Sequence, residues 1–545
     1  MQTFPKSNGS IPDLNWYSIG LSRSPRHRSG RRRMDRRRFL AAGAGALASG
    51  WLAGCGGGGG AAGTPVSPPG TPPTSGGPDW SALRPQLQGQ LLLPTDVDFN
   101  TLRLPANARY DGTVPLALAR CARTEDVAAA LAFARASQLP FTPRSGGHSY
   151  LGASTGTGLI VDTGPMDAVR MDGDIAVVGA GAKLADVYRA LLALPSPRVL
   201  PSGSCVTVGI TGIALGGGFG YFQRLHGLTC DALVGATVVD ANGRSLVCDA
   251  TSNTDLFWAL RGGGGGQFGI VTELRFQTRP VTAMSSASVS FAAVDATRAL
   301  AAWQAWSAAQ PDTVWSQGVL GVDFTGTLGL GINAVAMDTA DALQATWGPL
   351  LTAIGAMPVA RTAPQALTAQ ALLLASCNGL TATQCHLSSQ VPGGVLQRVA
   401  MSASSDFFNQ PLPAAGIQAL TDALLARARA GRNSAVILDQ MGGAISRVAV
   451  DATAFPHRAA RFSAQYLTES MRGTSADLLD ADARWANGMR DTMKSWSSGG
   501  AYVNYPDKAI ANPGDAYYGG NLARLQYIRA AVDPNRVFKS GVVSL

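Results

Sequence analysis

Two glycine-rich stretches carry the residues best suited to chemistry. The first, Pro143-Arg144-Ser145-Gly146-Gly147-His148-Ser149-Tyr150, sets two glycines among cationic, hydroxylic and imidazole side chains. Glycine admits positive φ and lets the backbone approach a ligand closely, and successive N–H groups can form an anion-binding nest. Arg144, Ser145 and Ser149 add donors, so a diphosphate would fit, with His148 as the adjacent nucleophile. The same residues also describe a plain glycine turn with a surface histidine. The second stretch, Pro201 to Tyr221, places Cys205 in another backbone-exposing loop, ahead of Val208, Gly209 and Gly212.

A third stretch contains Gly264, Gly266 and Gly269 at the spacing of the dinucleotide fingerprint. In a nucleotide-binding βαβ unit that motif follows a strand and opens a helix. Here a predicted helix over 255–260 comes first and a predicted strand over 270–276 follows. The order is reversed, which excludes that fold and leaves a further backbone wall of the same pocket, with Gly266 and Ile270 on it, or a long turn.

These loops need elements to hold them. From Thr113 strand and helix patterns alternate: a strand over 114–119, then Thr124, Glu125 and Asp126 opening a helix through Ser137 with Val127, Leu131 and Ala134 on one face. Further strands are expected over 159–162, 175–178, 234–239 and 270–276, and a helix carries Leu184, Val187, Tyr188 and Leu191. The texture changes after Val281. Strands over 285–291, 328–336 and 433–438 alternate with helices over 295–309 and 414–430, and no phosphate-type loop recurs. In the tail, residues 501–507 (Ala-Tyr-Val-Asn-Tyr-Pro-Asp) alternate aromatic and polar side chains as a strand edge would, and Tyr517 to Asn521 precede a helix.

At 545 residues the chain is long enough for two or three domains, and 46% apolar against 14% charged residues supplies material for cores. The formal charge of +9 does not point to nucleic acid, because it is concentrated in the leader. Residues 1–54 hold ten Lys or Arg against two Asp or Glu, and without them 34 basic face 33 acidic residues. Paired arginines before Phe39-Leu40, an apolar run far shorter than a membrane span, and Leu52-Ala53-Gly54-Cys55 define an exported leader of twin-arginine type over 1–55. It ends in a lipobox-like site at which Cys55 would carry lipid, or in an ordinary cleavage site with an incidental cysteine, and the signal is complete from Met34. Residues 56–79 form a Gly/Pro/Ser/Thr tether. In an oxidising compartment Cys377 and Cys385, flanking a short polar loop, make the best disulfide candidate, while Cys121, Cys230 and Cys248 are expected as buried thiols. No spacing suggests a metal site.

Arg144 to Ser149, Cys205 to Gly220, Gly262 to Thr272 and Tyr502 to Val542, in that order, resemble the berberine bridge enzyme-like branch of the flavin-linked oxidases, with a vanillyl-alcohol-oxidase or PCMH-type FAD domain. The resemblance runs from about Thr113 to the C-terminus. It implies an α+β fold: a two-subdomain FAD-binding domain over 110–280, a substrate domain with an antiparallel sheet backed by helices over 281–498, and a segment over 499–545 that completes the FAD site. It implies FAD held by two covalent bonds, from His148 and Cys205, with Asn504 and Asn521 as flavin or pocket contacts. Tyr505 resembles the family's catalytic tyrosine, with Asp439 or Tyr502 as partner. Asp439 and Gln440 stand where relatives project polar groups over the flavin, although many relatives carry an aromatic residue where Met441 stands. His457 is expected to be structural. Val208, three residues after Cys205, is the small residue that the family associates with oxygen access.

The expected activity is oxidation of an alcohol group of a sugar or oligosaccharide by hydride transfer to flavin, with O₂ reduced to H₂O₂. Oxidation of a specialised metabolite by the same machinery is the alternative, and a non-catalytic flavin-binding lipoprotein is the reading from another class. The expected protein is a monomer, exported and lipid-anchored at Cys55.

Overall fold

The computed structural model describes residues 77–539, 543 and 545; the leader, Cys55 and most of the tether lie outside the described residues. Strands β1 (Gln90–Leu92), β2 (Ala117–Arg120), β3 (Phe141–Arg144) and β4 (Leu159–Asp162) form a sheet ordered β1-β2-β4-β3. In it β2, β4 and β3 run parallel while β1 is antiparallel. β4 is buried throughout, as a parallel strand covered on both faces must be. The strand expected over 114–119 begins only at Ala117, since Pro115 has no N–H to give a ladder.

Strands β5 (Val169–Asp172), β6 (Ile175–Gly179), β8 (Leu233–Val239), β9 (Ser245–Asp249) and β10 (Ile270–Gln277) make an antiparallel sheet ordered β5-β6-β10-β8-β9. A ribbon pairs β7 (Arg198–Val199) with β11 (Arg279–Pro280). The helix Leu184–Leu192 buries Leu184, Val187, Tyr188 and Leu191 in the core shared with this sheet, the stripe its spacing predicts.

The remaining strands are β12 (Ser285–Ala292), β13 (Val314–Val322), β14 (Leu328–Ala336), β15 (Ala360–Ala366), β16 (Ala400–Phe408), β17 (Ser434–Gln440) and β18 (Phe462–Ser470). They build one antiparallel sheet ordered β15-β12-β14-β13-β17-β18-β16. Helices Ala296–Ala308, Ala340–Ile354, Ala414–Arg429 and Ala476–Met493 pack on one face through Trp303, Trp347, Leu420 and Met489, which share a core with Val436, Leu438, Phe462 and Tyr466 of the strands. The opposite face carries Ala435, Ile437 and Leu467 and turns toward the glycine-rich loops. The α+β architecture is the expected one.

The tail departs from expectation. Residues 501–507 form no strand: Tyr505 N–H donates to Tyr502 C=O in a turn, and Asp507 N–H donates to the Tyr517 hydroxyl. The chain leaves the edge of β16 after Gly500, whose carbonyl accepts from Phe407 N–H, and with Pro506 lacking an N–H the alternating pattern serves to point side chains from a loop. Cys377 and Cys385 form a disulfide, while Cys121, Cys230 and Cys248 are buried thiols. His457 is structural, stacked on Phe407 at 4.2 Å with Nε2 3.1 Å from the Tyr517 carbonyl.

Candidate active site

A cavity of about 570 Å³ lies between the glycine-rich loops and the cavity-facing side of the seven-stranded sheet. Its floor is backbone. The His148 loop leaves the end of β3, and Gly146 packs directly on Gly209 of the second loop: a Cβ on Gly146 would stand 2.1 Å from Gly209 N, so neither position admits a side chain. Gly147 has φ +78°, which turns the chain at this contact. The N–H groups of Gly146, Gly147, His148 and Ser149 have no acceptor among the described residues, which leaves a row of donors along the floor.

Two side chains expected as anion donors are committed elsewhere. Arg144 lines the cavity, but its guanidinium donates to the carbonyls of Leu102, Arg103 and Ser154, at 2.8 to 2.9 Å. It staples the N-terminal arm to the floor, and burial lowers its pKa to about 10. Ser145 Oγ donates to the Ala180 carbonyl at 2.7 Å. Ser149 Oγ accepts from Ala153 N–H at 3.0 Å, and its own proton remains available.

His148 and Cys205 arrive on the same wall from loops 57 positions apart in sequence, and Thr207 links them. Its Oγ1 is 2.9 Å from His148 Nε2 and 3.5 Å from Cys205 Sγ. Burial, reinforced by the Lys183 cation, lowers the His148 pKa to about 4, so the imidazole is neutral at physiological pH. Burial raises the Cys205 thiol. Gln390 braces both loops from behind. Its Nε2 donates to the Gly146 carbonyl at 3.0 Å and to the Thr207 carbonyl at 2.6 Å, while its Oε1 accepts from Leu387 N–H. Val208, Gly209, Gly212, Gly266 and Ile270 complete the floor and walls.

The roof is made of side chains. Asp439 on β17 points into the cavity, accepting from Gln317 Nε2 at 2.7 Å, and burial raises its carboxyl to about 6. Gln440 does not share that position. Neighbouring residues of a strand face opposite sides, and Gln440 is turned to the helix side, where Oε1 accepts from Ser316 and Nε2 donates to the Ser307 carbonyl. On β18 the cavity-facing set is Gln465, Leu467 and Glu469, and Gln465 donates to the Tyr150 hydroxyl at 2.9 Å.

The tail closes one side. Tyr505 lines the cavity, packed edge-on against Tyr150 (5.8 Å) and Tyr502 (4.9 Å). The Tyr502 hydroxyl accepts from Gly218 N–H at 2.7 Å and from Asn504 Nδ2 at 2.9 Å; burial pushes its pKa up, so it is a neutral phenol. Asn504 also donates to the Ile213 carbonyl. Asn521, expected as a pocket contact, does not reach the cavity: its Nδ2 donates to the Val450 and Thr453 carbonyls and holds that loop.

FAD fits this chamber on the residues present. The unpartnered N–H row suits a diphosphate, Gly212 has nothing within 4 Å of where a Cβ would stand, and the buried hydroxyls of Ser154 and Thr155, both on the cavity, lack a partner among the described residues. Sequence reasoning missed Tyr150, Thr207, Gln390, Gln465 and Glu469; only Tyr150 and Thr207, inside stretches already singled out, carried a local signal.

A family model of the FAD binding domain matches residues 115–249, and one for berberine and berberine-like proteins matches residues 501–541. The uncharacterized FAD-linked oxidoreductase YgaK of Bacillus subtilis is 32% identical over 466 residues, spanning 83% of this chain and 96% of its own. The chitooligosaccharide oxidase of Gibberella zeae is 28% identical over 481 residues, spanning 83% of this chain and 90% of that one. Among solved structures, Physcomitrella patens BBE-like 1 matches with a TM-score of 0.76 at 27% identity, covering 84% of this chain and 97% of that chain.

Proposed function

The chain belongs to the berberine bridge enzyme-like FAD-linked oxidoreductases, and from that premise we propose that it oxidises an alcohol group of a sugar or oligosaccharide, with its FAD bonded to both His148 and Cys205. The observation that carries this reading is the convergence of His148 and Cys205 on one wall through Thr207. Bound there, FAD would supply the acceptor for the hydride, with O₂ as second acceptor leaving as H₂O₂. The chain supplies the rest. Tyr505 takes the substrate's O–H proton, which keeps the developing carbonyl neutral as the C–H bond breaks. Tyr502, fixed by Gly218 and Asn504, sets the Tyr505 ring edge-on. Asp439, ionised above a pKa of about 6, is the partner that accepts the Tyr505 proton, since its charge alone raises a neighbouring phenol, as it does Tyr502. Val208 leaves room for oxygen beside Cys205.

The relative that oxidises chitooligosaccharides supports a sugar substrate. The Tyr221–Trp315 pair at 5.2 Å, both on the cavity, favours a second reading, an aromatic alcohol stacked on these rings. A peroxide-release screen over oligosaccharides and aromatic alcohols separates the two. Peroxide from sugars alone supports the first, and peroxide from aromatic alcohols alone replaces it with the second. We also propose twin-arginine export and a lipid on Cys55, to be read by mass spectrometry of the membrane-extracted N-terminal peptide.

A further inference from the structure

The roof holds a carboxyl that the proposed proton transfer does not use. Glu469 lies near the end of β18, opposite Met401 of β16, and both line the cavity. Among the described residues no hydrogen bond or ion pair reaches its carboxylate, and no cation offsets its burial, which pushes its pKa to about 7. The cavity's two cations do not serve it. Arg144 is spent on three carbonyls, and Lys539 sits at the exposed rim. The groups that feel the Glu469 charge are Cys205 and Tyr150, and both are neutral and raised by burial. A buried carboxylate without a partner is costly, and a hydroxyl placed against it would leave the charge uncompensated.

Its place along the strand matters too. Asp439 pairs with Ser463, and Glu469 is six residues further along β18, or roughly 20 Å at the rise of a strand. Tyr505 packs on Tyr150, whose hydroxyl meets the roof at Gln465 between these two acids, so Glu469 stands four strand residues, roughly 13 Å along β18, from the proposed reaction. We propose that Glu469 is a substrate-reading residue that pairs with a protonated amine remote from the oxidised carbon, so that the preferred substrate is an elongated, basic alcohol of the amino-sugar oligomer type. The sugar part of this inference rests on the function proposed above; the amine part does not.

The test is binding to the flavin-loaded enzyme at pH 7, read by quenching of protein fluorescence, with peroxide release measured alongside. Two matched pairs of probes are used: glucosamine oligomers against the same oligomers N-acetylated, and a linear amino alcohol against the diol of equal length. The expected result is tighter binding of the free-amine member by about tenfold or more, the range of a charge-assisted bond. Glu469→Gln should reduce that ratio to near one without weakening the neutral member, and Glu469→Asp should retain part of it. Equal binding within both pairs, or a preference that survives Glu469→Gln, overturns the proposal. An amine preference in both pairs without peroxide from either oligomer leaves the amine site standing and removes the sugar reading. Peroxide from N-acetylated oligomers with no amine preference does the reverse.

Discussion

The cavity's floor and roof are built by opposite means. The floor holds through backbone: Gly146 against Gly209, a row of N–H groups without acceptors among the described residues, and Gln390 bracing the two loops through their carbonyls. The roof acts through side chains, Asp439, Gln465 and Glu469, whose aim is set by the register of β17 with β18. A floor of this kind tolerates few substitutions, because any Cβ collides or fills the chamber. A roof tolerates many, provided strand parity is kept. The same cofactor site can thus be combined with different substrates.

The largest effect that would sharpen this contrast is expected from Gly212→Leu. Gly212 sits in the helix Ile210–Leu215 with open space in front of it, so leucine should fold without strain yet fill the chamber. The purified variant should be colourless, with an unchanged circular dichroism spectrum; a yellow variant would mean the floor lies elsewhere. Next, Tyr505→Phe should slow anaerobic flavin reduction by roughly 10²- to 10⁴-fold, the span of acid–base catalysis, while leaving the flavin in place. A variant reduced at the wild-type rate would remove Tyr505 from the chemistry.

Asp439→Asn should act on both rate and stability. The carboxyl's pKa is raised to about 6 in the folded chain, so the wild-type rate should climb as pH rises through about 6, and the variant should lack that limb. A group with a raised carboxyl pKa binds more protons folded than unfolded, so its contribution to stability falls as pH rises between about 4 and 6. The asparagine variant should therefore melt higher than wild type at pH 7 and lose that advantage by pH 4, which thermal melts at the two values would show. The smallest effect on turnover is expected from Gln440→Ala. It should cost roughly 1–3 kcal/mol of stability by stranding Ser316 and Ser307, with turnover per flavin unchanged. Lost turnover in a fully folded Gln440→Ala protein would return that residue to the roof.

The floor was legible in the sequence because its constraints are local. Glycines at 146, 147 and 209, followed by His148 or preceded by Cys205, state within a few residues that backbone must approach something. The reversed order of helix and strand around Gly264 to Gly269 likewise excluded a dinucleotide fold without any long-range information. The roof was not legible for the converse reason. Asp439 and Gln440 look alike in sequence, and only the pairing of β17 between β13 and β18 decides which of them faces the cavity. Gln390 acts across 244 positions on Gly146, a distance no local pattern spans. Arg144 was identified as a cavity residue, but its donors were misassigned, because the three carbonyls that consume them come from segments that only the fold brings together.

The most direct test of the account is mass spectrometry of proteolytic peptides from the denatured, flavin-loaded protein. The account predicts one FAD joining the peptide that carries His148 to the peptide that carries Cys205. Flavin released on denaturation, or recovered on the His148 peptide alone, would contradict it and leave Cys205 as a free, half-buried thiol on the cavity wall.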